Sequence, residues 1–506
     1  MTQGKLFDIE PNDFSWKVVD FSADGSNAQE ERLKLENKYW GITKITDKFN
    51  RQSVSYQLSK RDRLHRWLKY KEGFSSELVR ILFKDFGLKV GDNVLDPFIG
   101  SGTTALVAQM EGLNSVGFDI LPMSKISISA KSAVYDYDLD ELDTLVSDVE
   151  ALNTPHNYTN ITPYISTTKD GYPEQTAKDL AFYDEYFKKS NYSKEAMMLL
   201  KLCMLNTLEK ISYSKKDGQY LRWDCRCPKI IRASEERREK GKTPFVVILN
   251  KGELPSLKKA LLEELYNVVE DIKYIQSTQR PNQTRCNFIE GSALFEMTSL
   301  EANSVNGVVS SPPYCNRYDY TRTYAMELAY LGVSDAEVRK MRQDLLSCTV
   351  ESKSKIEKLK AHYSTIGRKE DFDKIYDIIK SNAVLNEILD ALKQRHKNGE
   401  VNNKGIIPMV EGYFTELTFI FAELFRVCTP GARIAFVNDN VRYSGEVIPV
   451  DYLTTMLAES LGFIPEIVYT LKQQKGNSSQ QMKKYGKVNL RKSISRCVEE
   501  EWWRFR

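Results

Sequence analysis

The chain has 506 residues, of which 41% are hydrophobic and 28% charged, and its net charge is +3. This length allows about three domain-sized units of roughly 150 residues each, and the composition is typical of a soluble globular protein. Because the net charge is so small, any affinity for a polyanion must come from a local basic face. Eight scattered cysteines, no secretory leader and no apolar run near the ~18 residues of a membrane span predict a cytoplasmic protein with free thiols and no membrane contact.

Residues 1–55 are polar and mixed, and we interpret them as an N-terminal arm with one short strand or strand pair near residues 38–50. The first clear pattern is VGDNVLDPFIGSGTTALVAQMEG at residues 90–112, which predicts a strand, a turn rich in Gly, Ser and Thr, and a helix. Open α/β sheets bind ligands at the carboxyl ends of strands, and Gly100 and Gly102 let the backbone approach a ligand closely. The pattern therefore predicts a ligand site at this turn.

The residues around the turn indicate which ligand it binds. A phosphate-binding loop needs a lysine after its last glycine, whereas Gly102 is followed by Thr103 and Thr104. The next predicted strand, NSVGFDI, ends in Asp119, where an acidic side chain usually accepts hydrogen bonds from ribose hydroxyls. We therefore expect a nucleoside without phosphates; a tight strand-to-helix turn without a ligand is the alternative.

A second pattern, SSPPY at residues 310–314, follows an apolar predicted strand. The side chain of Ser311 and the carbonyl of Pro312 can accept hydrogen bonds from an amino group on an aromatic ring, which directs the nitrogen lone pair outward. The two prolines stiffen the loop, and Tyr314 offers a face for stacking. The nearest thiol, Cys315, lies on the wrong side of Tyr314 for covalent catalysis. The alternative is a rigid turn with a buried tyrosine.

DPFIGSGTT at residues 96–104 and SSPPY resemble motifs I and IV of the S-adenosylmethionine-dependent DNA amino-methyltransferases. HRWLKYKEGFSSELVRILF is similar to motif X, which closes over the methionine part of the cofactor, and NFIEGSAL resembles motif III, whose loop borders the adenine. GYFTELTFIFAELFRVCTPGARIAFVNDN resembles the helix and strand that follow motif IV, and LGFIPEIVYTLKQQKGNSSQQM the final hairpin. The resemblance covers residues 60–125, 285–330 and 410–495.

The resemblance implies a Rossmann-like α/β sheet with helices on both faces, S-adenosylmethionine as cofactor, and direct methyl transfer without a metal to a base flipped out of the duplex. The implied cofactor-binding residues are Asp96, Phe98, Gly100, Ser101, Gly102, Thr103, Asp119 and Ser292. The residues implied to hold and activate the base are Ser311, Pro312, Pro313 and Tyr314. In this family Ser before the prolines goes mostly with cytosine N4, and Asp or Asn mostly with adenine.

Two insertions separate the parts of the expected catalytic domain, which are residues 56–130, 285–332 and 409–495. The first insertion, 131–284, contains three predicted helices and a basic, aromatic stretch. We interpret it as a target-recognition domain, with a solvated helical face as the alternative reading of the basic stretch. We expect a helical insertion at 333–408 and a C-terminal tail at 496–506. The expected DNA contacts are Arg222, Arg226 and Arg232 in the first insertion and Arg317 and Arg322 after motif IV.

The expected function is site-specific methylation of double-stranded DNA at cytosine N4 in a prokaryotic cytoplasm. The context would be a restriction-modification or related defence system with a cognate restriction endonuclease. Methylation of adenine N6 is the first alternative. An RNA guanine-N2 methyltransferase is the second, although such enzymes usually carry an N-terminal RNA-binding module and Asp before the prolines. A nuclease or recognition subunit with a decayed methyltransferase core is the third.

Overall fold

The computed structural model describes residues 14–217, 220–243, 249–278, 284–472, 479–486, 488 and 490–499. Its strands are Thr43–Thr46 (β1), Asn93–Asp96 (β2), Asn114–Asp119 (β3), Ser214–Asp217 (β4), Tyr220–Trp223 (β5), Cys286–Glu290 (β6), Val305–Ser310 (β7), Cys428–Asp439 (β8), Val441–Tyr443 (β9), Glu446–Ile448 (β10), Phe463–Leu471 (β11) and Lys492–Glu499 (β12).

The α-helices fall mainly between the strands and in the two insertions. They are Glu30–Trp40 (α1), Ser76–Phe86 (α2), Thr103–Met110 (α3), Pro122–Ser132 (α4), Leu139–Ala151 (α5), Glu174–Lys188 (α6), Lys194–Ile211 (α7), Pro228–Glu239 (α8), Leu257–Gln276 (α9), Ala293–Glu296 (α10), Tyr320–Thr323 (α11), Ala325–Tyr330 (α12), Asp335–Asp344 (α13), Ile356–Thr365 (α14), Lys369–Lys380 (α15), Ala383–Lys397 (α16), Ile406–Val427 (α17), Val450–Ser460 (α18) and Ser479–Tyr485 (α19).

Eight strands form one sheet in the order β1-β11-β12-β8-β7-β2-β3-β6. The pairs β2 with β3, β2 with β7, β7 with β8 and β3 with β6 are parallel. Strand β12 runs antiparallel to both of its neighbours, β8 and β11. The beginning of β12 therefore lies at the same edge of the sheet as the carboxyl ends of β2, β3, β7 and β8. This edge carries the two sequence patterns that resemble motifs I and IV.

Helices cover both faces of the sheet, as the burial of β2 illustrates. Val94 and Leu95 point to opposite faces and are both fully buried. Val94 packs in a cluster with residues of α2 and α3 such as Leu78, whereas Leu95 packs in a separate cluster with residues of α17 such as Leu417. A strand buried on both faces needs adjacent apolar residues, and Val94 and Leu95 supply them in β2. The expected doubly covered α/β sheet is confirmed.

The two insertions are largely helical. The three helices predicted in residues 131–284 are confirmed as α6, α7 and α9, and β4 pairs with β5 in a short antiparallel hairpin. The predicted helical segments of residues 333–408 are confirmed as α13, α15 and α16. The second insertion packs on the catalytic part of the chain, where Tyr363 of α14 meets Phe419 of α17 with ring centroids 5.5 Å apart.

The segments interpreted as an arm and a tail contribute to the main sheet. β1 pairs in parallel with β11, and the buried Arg32 of α1 donates hydrogen bonds to Glu387 and Glu446 at 2.9 and 3.0 Å. Residues 496–499 are the end of β12, while residues 1–13 and 500–506 lie outside the described residues. Among the helices that are described, none combines the length and apolar character needed to cross a bilayer.

Candidate active site

An open cleft lies at the carboxyl edge of the sheet. It is bordered by the turn after β2, the end of β3, the loop before α10, the loop after β7, and the segment before α2. Of the residues singled out from the sequence, the cleft is lined by Asp96, Phe98, Gly100, Ser101, Thr103, Asp119, Ser292, Ser311 and Pro313. Two patterns far apart in the sequence therefore meet at one site.

The turn after β2 depends on two glycines with left-handed backbone conformations. Gly100 has φ +52°, and a Cβ atom there would lie 2.9 Å from Cε1 of Tyr70. Gly102 has φ +92°, and its Cβ would lie 2.6 Å from Cγ1 of Ile128 in α4. Any side chain at either position would be strained and would clash. Gly100 thus shapes the floor of the cleft, whereas Gly102 allows α3 and α4 to pack closely.

Asp96, at the end of β2, connects the turn to the SSPPY loop. Its carboxylate accepts hydrogen bonds from the Ser310 hydroxyl at 2.6 Å, the Thr104 hydroxyl at 2.7 Å and the Phe98 amide at 3.0 Å. Ser310 directly precedes Ser311, so this carboxylate fixes one motif relative to the other. The side chain is buried, and this burial raises the pKa of Asp96 to about 6 although all three hydrogen bonds favour the ionised form.

Asp119, at the end of β3, is the second carboxylate of the cleft. Its side chain accepts hydrogen bonds from the amide of Gly100 at 3.0 Å and the amide of Leu121 at 2.8 Å. Burial raises the pKa of Asp119 to about 6 as well. The side chain is partly exposed to the cleft, so it can still accept hydrogen bonds from a ligand.

A third carboxylate, Glu72, lies in the segment before α2. Its two oxygens accept hydrogen bonds from the hydroxyls of Tyr318 and Tyr324, and burial raises its pKa. Tyr324 also stacks on Tyr70, with ring centroids 5.2 Å apart and an interplanar angle of 8°. Residues 65–83 resemble the segment that closes over the cofactor, but the sequence did not single out Tyr70, Glu72 or the nearby Phe74 as cleft residues.

The charges in the cleft fit a cationic nucleoside cofactor. Three carboxylates line the cleft, and among its described lining residues there is neither lysine nor arginine. A sulfonium cation is favoured by nearby carboxylates, and the absence of a Cβ at Gly100 makes room for the Tyr70 ring beside the turn. A phosphorylated nucleotide would instead be repelled. The electrostatics and the glycine turn therefore fit S-adenosylmethionine.

The SSPPY loop places Ser311 and Pro313 at the cleft and packs its other side chains behind them. The Ser311 hydroxyl donates a hydrogen bond to the Tyr314 hydroxyl at 2.9 Å, while Pro312 and Pro313 are buried. Cys315 is fully buried in an apolar cluster, and this burial raises the pKa of its thiol. A buried, protonated thiol is a poor nucleophile, which agrees with a mechanism that does not use Cys315.

The five arginines predicted to contact DNA occupy different surroundings. Those of the first insertion are half-exposed and each is paired with a carboxylate: Arg222 with Asp217, Arg226 with Asp224, and Arg232 with Asp170. Arg322 is 3.4 Å from Glu351 and 3.8 Å from Asp319. The guanidinium of Arg317 lies over the ring of Tyr443, 5.7 Å from its centroid, and the Arg317 backbone has φ +66°.

Comparison with known proteins agrees with this architecture. The family described as DNA methylase, of the N6/N4 type, matches residues 12–126. The chain is 52% identical over 487 residues to type II methyltransferase M.BsoBI of Geobacillus stearothermophilus, with 96% of each chain covered. It is 34% identical over 465 residues to type II methyltransferase M.AvaI of Nostoc sp. and of Anabaena variabilis, with 91% of each chain covered.

The sheet and its cleft define an α/β methyltransferase that uses S-adenosylmethionine. At 52% identity over nearly the whole chain, the relationship to M.BsoBI is unambiguous. The chain belongs to the N6/N4 DNA methylase family. It is therefore an S-adenosylmethionine-dependent DNA methyltransferase of the amino-methylating type, and the expected enzyme class and cofactor are confirmed.

Proposed function

We propose that this enzyme methylates cytosine N4 within a short recognition sequence in double-stranded DNA, as the modification enzyme of a type II system with a cognate restriction endonuclease. The observation that carries the choice of base is Ser311, a hydroxyl residue at the cleft where a carboxylate or carboxamide would favour adenine. The names of the relatives M.BsoBI and M.AvaI, both type II methyltransferases, support the type II context.

Binding of the cofactor is assigned to the turn after β2 and the end of β3. The cofactor supplies a methyl group carried on a sulfonium sulfur. In the proposal Asp119 accepts hydrogen bonds from the ribose hydroxyls, while Gly100 and Ser101 provide backbone close to the ligand. Asp96 acts mainly by holding the turn and Ser310 in place, since its two oxygens already accept three hydrogen bonds.

Activation of the base is assigned to Ser311 and the carbonyl of Pro312. The exocyclic amine of cytosine is a weak nucleophile, because its lone pair is delocalised into the ring. Acceptors on both amine hydrogens favour a pyramidal nitrogen whose lone pair points into the cleft. Ser311 suits this role because its own proton is donated to Tyr314, which leaves its oxygen lone pairs available. The prolines hold both acceptors in position before the base arrives.

Recognition of DNA is assigned to residues 131–284. Helix α8 has no buried residue, and it carries Arg232 and Arg238 at the protein surface, where a polyanion can reach them. Arg222 and Arg226 lie just before this helix, and each can exchange a carboxylate partner for a phosphate or a guanine edge. The exchange would cost little at Arg222, because its ion pair with Asp217 is half-exposed on both sides and exposed ion pairs contribute only about 0–1 kcal/mol to stability. At Arg226 the partner Asp224 is buried, and it would keep its hydrogen bonds from the amides of Arg226 and Lys251.

The product identifies the base. DNA from a host that lacks the enzyme is methylated in vitro, digested to nucleosides and analysed by mass; we expect N4-methylcytosine. N6-methyladenine would support the alternative base, and product on RNA alone would support the RNA enzyme. Ser311→Ala should lower the methylation rate about 100-fold, as is typical for loss of a positioned hydrogen-bonding group, while calorimetry shows unchanged cofactor affinity. A wild-type rate in this variant would contradict the role of Ser311.

A further inference from the structure

We propose that an open basic pocket, between the first insertion and the segment before α2, binds phosphate groups of the substrate DNA beside the active-site cleft. The proposal deepens the assignment of DNA recognition to residues 131–284, and it rests on double-stranded DNA as the substrate. None of its cations is among the five arginines expected from the sequence to contact DNA. The basic pocket is lined by Lys60, Arg66, Lys69, Lys210, Lys215 and Lys251.

The charge of the basic pocket differs sharply from that of the whole protein. Six lysine and arginine side chains line the pocket, and Glu209 is the one carboxylate among its described lining residues. The whole chain, in contrast, has a net charge of only +3. A local concentration of positive charge attracts a polyanion even where the average field is weak. The basic pocket is therefore the kind of local basic face that DNA binding requires of this chain.

Four of these cations present ammonium groups that a phosphate can reach. Lys60 and Lys215 are exposed, and neither has a carboxylate partner within the part of the chain that the structure describes. Lys69 and Lys210 each pair with a glutamate, yet their side chains remain 41% and 44% exposed. The three arginines of the first insertion that are expected to contact DNA are, in contrast, all paired with carboxylates. Lys60 and Lys215 can therefore bind a phosphate without first giving up an ion pair.

The other two cations hold the pocket together. Arg66 donates hydrogen bonds to both oxygens of the buried Asp271 carboxylate at 2.8 Å. Lys251 donates to three backbone carbonyls around the junction of α7 and β4, two of them at 2.6 and 2.8 Å. These three acceptors use every hydrogen of the Lys251 ammonium group. Lys251 thus fixes the beginning of β4, and with it the position of Lys215.

The basic pocket shares two segments with the active-site cleft. Lys69 directly precedes Tyr70, which lines the cleft. Lys215 and Lys216 are neighbours in β4 and point to opposite sides, so that Lys215 is exposed and Lys216 is buried. Nζ of Lys216 lies 4.2 Å from the centroid of the Tyr324 ring, which stacks on Tyr70. A phosphate in the basic pocket would therefore lie next to the wall of the cleft that receives the flipped base.

Lysine suits contact with phosphates better than recognition of bases. Its ammonium group is a compact charge on a flexible stem, and it lacks the rigid fork with which arginine reads a guanine edge. Contacts to the DNA backbone position the duplex but carry no sequence information. We therefore expect the basic pocket to contribute affinity for any duplex, and the arginines of β5 and α8 to contribute the preference for one sequence.

The test is the salt dependence of DNA binding by the full chain. Lys60→Gln and Lys215→Gln are combined, because this pair of changes leaves no described carboxylate without its partner. The loss of two phosphate contacts should reduce the slope of log Kobs against log salt concentration by about 2, and weaken binding roughly 10- to 100-fold at about 0.1 M salt. The factor should be equal for a random-sequence duplex and for a duplex that carries the methylation site. Calorimetry should show unchanged affinity for S-adenosylmethionine.

Lys84 and Lys89 supply a matched control. Both are exposed, and they lie near the end of α2 and between α2 and β2, at the amino edge of the parallel strands and opposite the cleft. Lys84→Gln combined with Lys89→Gln changes the net charge by the same amount and should leave the slope unchanged. Lys60→Arg combined with Lys215→Arg should also keep the slope, since arginine contacts phosphates as well.

Three results would overturn the proposal. The first is a wild-type slope in the Gln variant of Lys60 and Lys215, and the second is a loss of affinity confined to the duplex with the methylation site. The third is equal weakening of DNA binding by the control variant of Lys84 and Lys89, because the effect would then follow the total charge instead of the pocket.

Failure of this proposal can be told from failure of the proposed function. If duplex DNA is not the substrate, the wild-type enzyme forms methylated product on RNA alone. A wild-type enzyme that methylates duplex DNA, together with an unchanged slope in the Gln variant of Lys60 and Lys215, overturns only the role of the basic pocket. The methylated nucleoside formed by the wild-type enzyme reports on the choice of base, whatever the two lysines do.

Discussion

Replacing Asp96 by Asn should make the free enzyme more stable at neutral pH. The Asn side chain fits the existing contacts: its oxygen can accept from Phe98 and Ser310, and its amide can donate to Thr104. The Thr104 hydroxyl can then donate to the Val309 carbonyl, which already lies 3.3 Å away. The substitution therefore removes a buried charge without leaving a polar group unpaired.

The size of the effect follows from the pKa of Asp96. Burial raises this pKa from 3.8 to about 6, and one pKa unit corresponds to about 1.4 kcal/mol, so ionisation in the folded protein costs about 3 kcal/mol. For a chain of 506 residues that unfolds as one unit, the unfolding entropy is about 1 kcal/mol per kelvin, and the expected gain in Tm is about 3 °C.

The sign of the pH dependence is fixed by the same shift. Since the folded-state pKa of Asp96 is above the unfolded value, the folded chain binds more protons between about pH 4 and 6. The wild-type stability contributed by this group falls as pH rises through that interval and is constant above it. The advantage of Asp96→Asn should therefore be largest at pH 7 to 8 and should disappear near pH 4.

Thermal unfolding of both proteins across this pH range tests the reasoning, together with calorimetric titration of S-adenosylmethionine. The variant should bind the cationic cofactor about tenfold more weakly or worse, because it has lost a unit charge close to the ligand. A lower Tm for the variant at pH 8, or a difference in Tm that does not change with pH, would refute the assignment of a costly buried charge to Asp96.

Two further substitutions probe the cleft and the DNA-binding surface. Gly100→Ala should weaken cofactor binding at least about tenfold, because its Cβ would clash with Tyr70 in a strained backbone. A wild-type affinity for S-adenosylmethionine, measured by calorimetry, would contradict the importance of the close contact between Gly100 and Tyr70. Replacing Arg222, Arg226 and Arg232 together by Gln should abolish specific DNA binding in a mobility-shift assay, while the affinity for the cofactor is kept. Unchanged DNA affinity would contradict the proposed role of these three arginines in DNA binding.

The parts of the site that could be predicted are those encoded by local sequence. The strand, turn and helix around Gly100 are specified by an apolar pair, a glycine-rich turn and a helical apolar pattern within a few residues of one another. Asp119 could be located because the carboxyl end of the next parallel strand must lie beside this turn. Ser311 could be placed at the same edge for the same reason, since β7 is parallel to β2.

The residues that the sequence did not reveal depend on long-range packing. Glu72 acts through Tyr318 and Tyr324, and this pairing joins segments about two hundred and fifty residues apart. Leu346 reaches the cleft from an insertion whose place in the fold has no signal in the sequence. The beginning of β12 reaches the active edge only because this strand runs antiparallel to β8. Strand direction is a property of the whole sheet.

The three carboxylates of the cleft connect the stability of the enzyme with its function. Asp96, Asp119 and Glu72 all have a pKa raised by burial, so each destabilises the folded protein at neutral pH. Their hydrogen-bond donors, which include three amides and several hydroxyls, lessen this penalty but carry no positive charge. A positively charged ligand lowers the free-energy cost of ionisation further, because it favours the ionised form of all three carboxylates at once. The unfavourable electrostatics of the protein alone are thus the same feature that selects a sulfonium nucleoside.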